Sequence, residues 1–218
     1  MTGGGDRGWR PRRSGSERWA APVDPPGTTR LFFAVPVPDE ARVRIGELIA
    51  QVQASVGDGT ARIRWVRVDG LHLTLRFLGP TPDDRRAPLE IGADALAASD
   101  TPFEVVLRGG GAFPSVARPR SLWVGVSTGA DRLARIADGL TAAAGECGLV
   151  LDTRPFTPHL TLARTDGVRL GPVAAQALEE AADGLDARFT VDRVVLFRSI
   201  LGDGPARYEP LHEARLGG

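Results

Sequence analysis

Lysine is missing from this chain. All 27 basic residues are arginine, and 27 acidic residues balance them, so the formal charge is zero. Neutrality argues against a general polyanion binder and leaves room for one local basic cleft. Arginine is also the side chain whose fork best matches a phosphate. Cysteine is reduced to Cys147 alone. One cysteine excludes an internal disulfide and any cysteine-rich metal site. Its alanine-rich surroundings predict a buried, inert thiol. Apolar runs of membrane-spanning length are lacking, as is the apolar stretch of a secretory signal. The expectation is a cytoplasmic chain without membrane contact. No His/Asp/Glu grouping has metal-ligand spacing, which agrees with chemistry that needs no metal. Gly109-Gly110-Gly111 lacks the third glycine and the strand-to-helix setting of a dinucleotide fingerprint.

What the chain does have is one phrase used twice. Leu71-His72-Leu73-Thr74-Leu75 and Pro158-His159-Leu160-Thr161-Leu162 share His-Leu-Thr-Leu, and they hold two of only three histidines. Side chains alternate along a strand. In the first copy Leu71, Leu73, Leu75 and Phe77 share one face, and His72, Thr74 and Arg76 the other. In the second, Leu160 and Leu162 lie opposite His159 and Thr161. Burying the leucines at about 1.5–3 kcal/mol each fixes where the polar face points. Each copy then presents a group that moves protons near neutral pH beside a hydroxyl donor. A single His-x-Thr is ordinary solvent-facing decoration. Two copies with matching neighbours read as a repeated chemical unit.

Residues 1–29, rich in Gly, Pro, Arg and Ser, are expected to form a disordered tail despite Trp9 and Trp19. Residues 30–218 should form the folded, two-lobed part. A strand over 31–35 precedes a helix opened by Pro38-Asp39-Glu40, with Ala41, Ile45, Leu48, Ile49 and Val52 inward. A strand over 62–68 and an Asp69-Gly70 turn lead into the first motif strand, which should stop at Gly79-Pro80. Asp83-Asp84 starts a helix with Leu89, Ala93, Leu96 and Ala97 on one face. A strand over 103–107, a loop at Gly109–Gly111 and a strand over 121–126 follow. The next helix carries Leu133, Ile136, Ala137, Leu140 and Ala144 and stops at Gly148. After the second motif strand, Pro172 begins a helix with Ala174, Leu178, Ala181, Ala182 and Leu185 inward. One long strand or a pair over 189–201, a turn at Asp203-Gly204-Pro205 and a strand over 207–216 complete the chain.

The order is strand, helix, hairpin, helix, twice over. That predicts an α+β fold: a bilobal, pseudo-twofold duplication. Two small antiparallel sheets should face a central cleft, with helices outside.

The paired phrases resemble the signature of the two-histidine phosphoesterases, and in particular their RNA 2′,3′-cyclic phosphodiesterase branch, historically called 2′-5′ RNA ligases. Residues 30–36, 72–79, 111–114 and 158–164 carry the likeness. The resemblance implies His72 as proton donor to the leaving ribose oxygen and His159 as the base on water. It implies Thr74 and Thr161 as holders of the phosphate oxygens. It further implies hydrolysis to a 2′-phosphate, with no cofactor. The expected partner is RNA ending in a 2′,3′-cyclic phosphate, tRNA-derived ends included, and the expected state a monomer. Another cyclic phosphate, 2′-5′ RNA ligation, or a non-catalytic RNA-end binding module are the alternatives. Arg76, Arg154 and Arg164 are phosphate-binding candidates. Phe33 or Phe156 could stack on a base, though core packing suits each better. His212, with Ala214 at +2, reads as a strand-surface histidine.

Overall fold

The apolar run around Leu31–Val35 forms β1 (Thr28–Pro36). It starts three residues before the expected Leu31. The computed structural model describes residues 24–151, 154–165, 169–202 and 206–217. Trp9, Trp19 and the expected turn at Asp203-Gly204-Pro205 lie outside the described residues.

After β1 come α1 (Asp39–Val56), β2 (Arg64–Trp65), β3 (His72–Pro82) and α2 (Arg86–Ala98). Then follow β4 (Phe103–Phe113), β5 (Ser121–Thr128), α3 (Ala130–Glu146), β6 (His159–Arg164) and α4 (Gly171–Ala182). The chain closes with β7 (Ala187–Val191), β8 (Arg193–Ile200) and β9 (Arg207–Arg215). Every strand pairing is antiparallel. One sheet runs in the order β3-β1-β8-β9 and the other β2-β6-β5-β4-β7.

The helices obey their periodicity. The buried residues of α1 are Ala41, Ile45, Leu48, Ile49 and Val52, and those of α3 are Leu133, Ile136, Ala137, Leu140 and Ala144. Acidic Asp39 and Glu40 in the first turn of α1 complement its dipole. Gly148, at φ +79°, ends the α3 region in the left-handed conformation that glycine tolerates.

Three expectations needed correction. The strand over 62–68 shrinks to Arg64–Trp65, because the backbone from Gly57 to Arg62 winds into a 3-10 turn. The glycine triplet is not a loop but lies inside β4. There the β4–β5 register slips between Leu107 and Gly110, and Gly109 takes φ +75°. β3 does not stop at Gly79-Pro80 but continues to Pro82. Its pairing with β1 slips at Leu31/Phe32 and at Phe33/Ala34, and Phe77 emerges 54% exposed rather than joining the leucine face. A bulge breaks strict alternation in this way.

The expected strand, helix, hairpin, helix order does not repeat: β2 pairs with β6 rather than with β3, a single strand separates α3 from α4, and the lobes are not the two halves of the chain. α2 and α3 pack on the β3-β1-β8-β9 sheet, and α1 and α4 on the other. Thus α1 crosses from β1 to the opposite lobe, and α3 crosses from β5 in return. β4 and β8 are exchanged likewise, each taking a place between two strands of the far sheet. The strands β3 and β6, which carry the two motifs, approach with Cα atoms within 8 Å where the lobes meet.

Candidate active site

Leu73 and Leu75 on β3 are 1–2% exposed, and Leu160 and Leu162 on β6 are fully buried. Their opposite faces hold His72, Thr74 and half-buried Arg76, and His159 and Thr161. The structure therefore anchors both His-x-Thr pairs as the strand period requires.

The two imidazoles are held alike. His72 donates from Nδ1 to the Gly70 carbonyl at 2.8 Å, and His159 from Nδ1 to the Thr157 carbonyl at 2.7 Å. In each case the acceptor is two residues upstream. Fixing the proton on Nδ1 leaves Nε2 of the neutral ring as the working nitrogen.

Aromatic rings flank both histidines. Phe32 lies 5.0 Å and Tyr208 4.8 Å from the His72 ring centroid, with Phe197 at 6.1 Å. Phe113 lies 5.1 Å and Trp123 6.2 Å from His159. Strand register explains the second group, since Trp123 pairs with Thr161 and Gly111 with Trp123. A Cβ on Gly111 would sit 2.3 Å from the Trp123 ring, so only glycine admits that indole. None of these rings was singled out for the site from sequence. Phe113 falls in the quoted phrase at 111–114. Phe32 adjoins Phe33, but it is Phe33 that is packed away in the core. Alternation puts the neighbours on opposite faces without saying which face meets the histidine. Phe156 packs partly buried against the core.

Burial pushes the pKa of both imidazoles below the usual 6.5, against the opposing pull of the Gly70 and Thr157 carbonyls. His159 feels a further depression from the Arg164 charge. Burial raises the Tyr208 phenol, and Arg164 opposes that rise. Arg164 therefore acts on a histidine of its own sheet and on a tyrosine packed against the histidine of the other. Arg164 is exposed at the end of β6, and Arg154 is exposed upstream of it. His212 bonds through Nε2 to Asp94 at 2.8 Å. Cys147 is half-buried against the core.

Among the described residues, no group of three or more His, Cys, Asp or Glu could hold a metal ion. No helix among them is long and apolar enough to cross a membrane. A shallow cavity of about 390 Å³ beside Arg44, Glu47, Gln51 and Glu180 involves neither motif.

Two antiparallel sheets, pseudo-symmetric in topology and each offering one His-x-Thr pair where they meet, define a two-histidine phosphoesterase fold. The chain matches the 2′-5′ RNA ligase superfamily over residues 37–203 and belongs to it. An RNA 2′,3′-cyclic phosphodiesterase of Aeropyrum pernix is 34% identical over 167 residues, 77% of this chain and 94% of its own. The enzyme of that name from Escherichia coli is 31% identical over 84% of this chain and 93% of its own. The crystal structure of E. coli LigT complexed with 3′-AMP superposes with a TM-score of 0.70 at 28% identity, covering 88% of this chain and 99% of LigT. TT0787 of Thermus thermophilus gives a TM-score of 0.68, also at 28% identity, over 87% of this chain and 98% of its own.

Proposed function

We propose that this chain hydrolyses the 2′,3′-cyclic phosphate at RNA ends to a 2′-phosphate, without a metal. The observation that carries it is the meeting of β3 and β6 with both imidazoles pinned through Nδ1. Opening the ring needs a water deprotonated, an oxygen protonated and charge on the equatorial oxygens stabilised. Water attacks phosphorus and the bond to O3′ breaks. Nε2 of neutral His159 takes the water proton, and Nε2 of protonated His72 delivers one to O3′. Thr74 and Thr161 donate hydroxyl hydrogen bonds to the non-bridging oxygens.

The assignment of acid and base is the one the family resemblance implies. The Arg164 charge disfavours protonation of His159, which suits a base. Burial lowers the pKa of His72, and an anionic phosphate beside the ring offsets that by favouring the imidazolium. The names of the A. pernix and E. coli relatives support the substrate class.

The test is a short RNA ending in a 2′,3′-cyclic phosphate, incubated with purified protein and excess EDTA, with products separated by chromatography. A 2′-phosphate end is expected. Binding without turnover would make the chain an RNA-end binding module. Turnover abolished by the chelator would refute the metal-free mechanism.

A further inference from the structure

We propose that Arg64, paired with Arg164, grips the phosphodiester that joins the terminal nucleotide to its neighbour, so that the protein selects the end of an RNA chain over a mononucleotide. The inference rests on the phosphodiesterase reading and adds how much of the strand is held.

The two residues of β2 face opposite ways. Trp65 packs against the core and donates from Nε1 to the Thr60 hydroxyl at 3.0 Å. The Val66 N–H bonds the Leu162 carbonyl at 2.9 Å and fastens the strand to β6. With Trp65 committed inward, alternation turns Arg64 to the other face. Arg64 pairs with Arg164, Arg164 with Ser121, and Ser121 with Phe113. Directly paired residues share a face of the sheet, and Phe113 lies against His159. The row therefore crosses the cleft face, and Arg64 and Arg164 are its exposed end. The Arg164 charge acts on His159 and on Tyr208 of the other sheet, so this end borders the space where the lobes meet.

Two like charges directly opposite one another destabilise a strand pair. Elsewhere arginines are neutralised locally: Arg42, Arg67, Arg86 and Arg188 each meet a carboxylate within four residues. Arg64 and Arg164 have no carboxylate partner among the described residues. An anion relieves their repulsion, and two guanidinium forks suit the oxygens of a phosphate. Arg64 lies three residues along and one strand across from Thr161, an offset of roughly 11 Å at ordinary strand rise and spacing. The reacting phosphate, held between Thr74 and Thr161, lies short of the pair. The next phosphate of the RNA is the anion in reach.

The competing role for Arg64 is binding of the reacting phosphate itself. Two substrates separate these roles. A dinucleotide ending in a 2′,3′-cyclic phosphate has an internucleotide phosphate, and a nucleoside 2′,3′-cyclic phosphate with a free 5′ hydroxyl has none. In the unmodified protein kcat/KM should be higher for the dinucleotide. Arg64→Gln should lower that value about tenfold, mostly through KM, and leave the nucleoside ester unchanged. A dinucleotide with an uncharged methylphosphonate link should lose the same factor in the unmodified protein, a comparison that needs no variant. An equal loss on both substrates in Arg64→Gln, an unchanged dinucleotide, or a methylphosphonate turned over as fast as the phosphodiester overturns the proposal. Turnover of either ester by the unmodified protein tests the phosphodiesterase reading separately. If neither turns over, calorimetric Kd values for the dinucleotide and nucleoside 2′-phosphates give the same comparison without catalysis.

Discussion

Each motif imidazole is committed through Nδ1 to a carbonyl of its own backbone, so proton traffic is confined to Nε2. Removing either ring removes one proton-transfer partner and leaves the other with the threonines. His72→Ala and His159→Ala should each lower kcat by about 10²–10⁴-fold. A fully active variant of either kind would sink the assignment of that ring. The pH profile carries a sharper signature. Both rings have depressed pKa values, so the bell of kcat/KM, which reports the free protein, should peak on the acid side of 6.5. Bound phosphate stabilises the imidazolium, so the alkaline limb of kcat should lie at higher pH than that of kcat/KM. Arg164→Gln removes a cation that depresses His159, and the acid limb should move upward. An acid limb that stays in place would mean that Arg164 does not tune the base.

At the level of elements, the glycines of β4 separate support for the fold from support for the site. A Cβ on Gly110 would come 2.5 Å from the Leu178 carbonyl oxygen, which belongs to the backbone of α4 and cannot swing aside. Gly110→Ala should cost about 1–3 kcal/mol in chemical denaturation, as overpacking generally does. A Cβ on Gly111 instead meets the Trp123 ring, which packs on Phe113 beside His159. Gly111→Ala should lower kcat as well as stability, whereas Gly110→Ala should act mainly on stability. Equal effects of both on kcat would contradict the separation. These glycines also mark the limit of what a sequence discloses. The motif strands and the inward faces of α1 and α3 are written in local periodicity, and their buried residues are those the pattern names. Why three successive glycines continue a strand is not local. It depends on a bulge, on α4 and on an indole supplied by β5. The rings around the histidines were hidden for the same reason. Phe197 and Tyr208 lie on β8 and β9, and which strand flanks β1 is decided by tertiary pairing.

Across the whole molecule, the exchange of elements makes the lobes interdependent. The sheet bearing His72 has β8 between β1 and β9, and the sheet bearing His159 has β4 between β5 and β7. Each sheet is also covered by a helix that crosses from the other lobe: α3 in the first case, α1 in the second. Unfolding one lobe therefore strips a strand and a helix from the other and exposes buried leucines such as Leu133 and Leu140. A repeat with self-contained halves would melt in two stages, but this arrangement should melt in one. The tryptophans allow a direct check. Trp65 and Trp123 both lie in the sheet bearing His159, so in a variant with Trp9→Phe and Trp19→Phe the fluorescence change on unfolding reports mainly that lobe. Far-UV circular dichroism reports helices and strands of both. In urea the two signals should share one midpoint, and calorimetric and van't Hoff enthalpies should agree. Fluorescence changing ahead of the dichroism would show that the His159 lobe unfolds by itself, and the exchanged elements would not then bind the lobes into one cooperative unit.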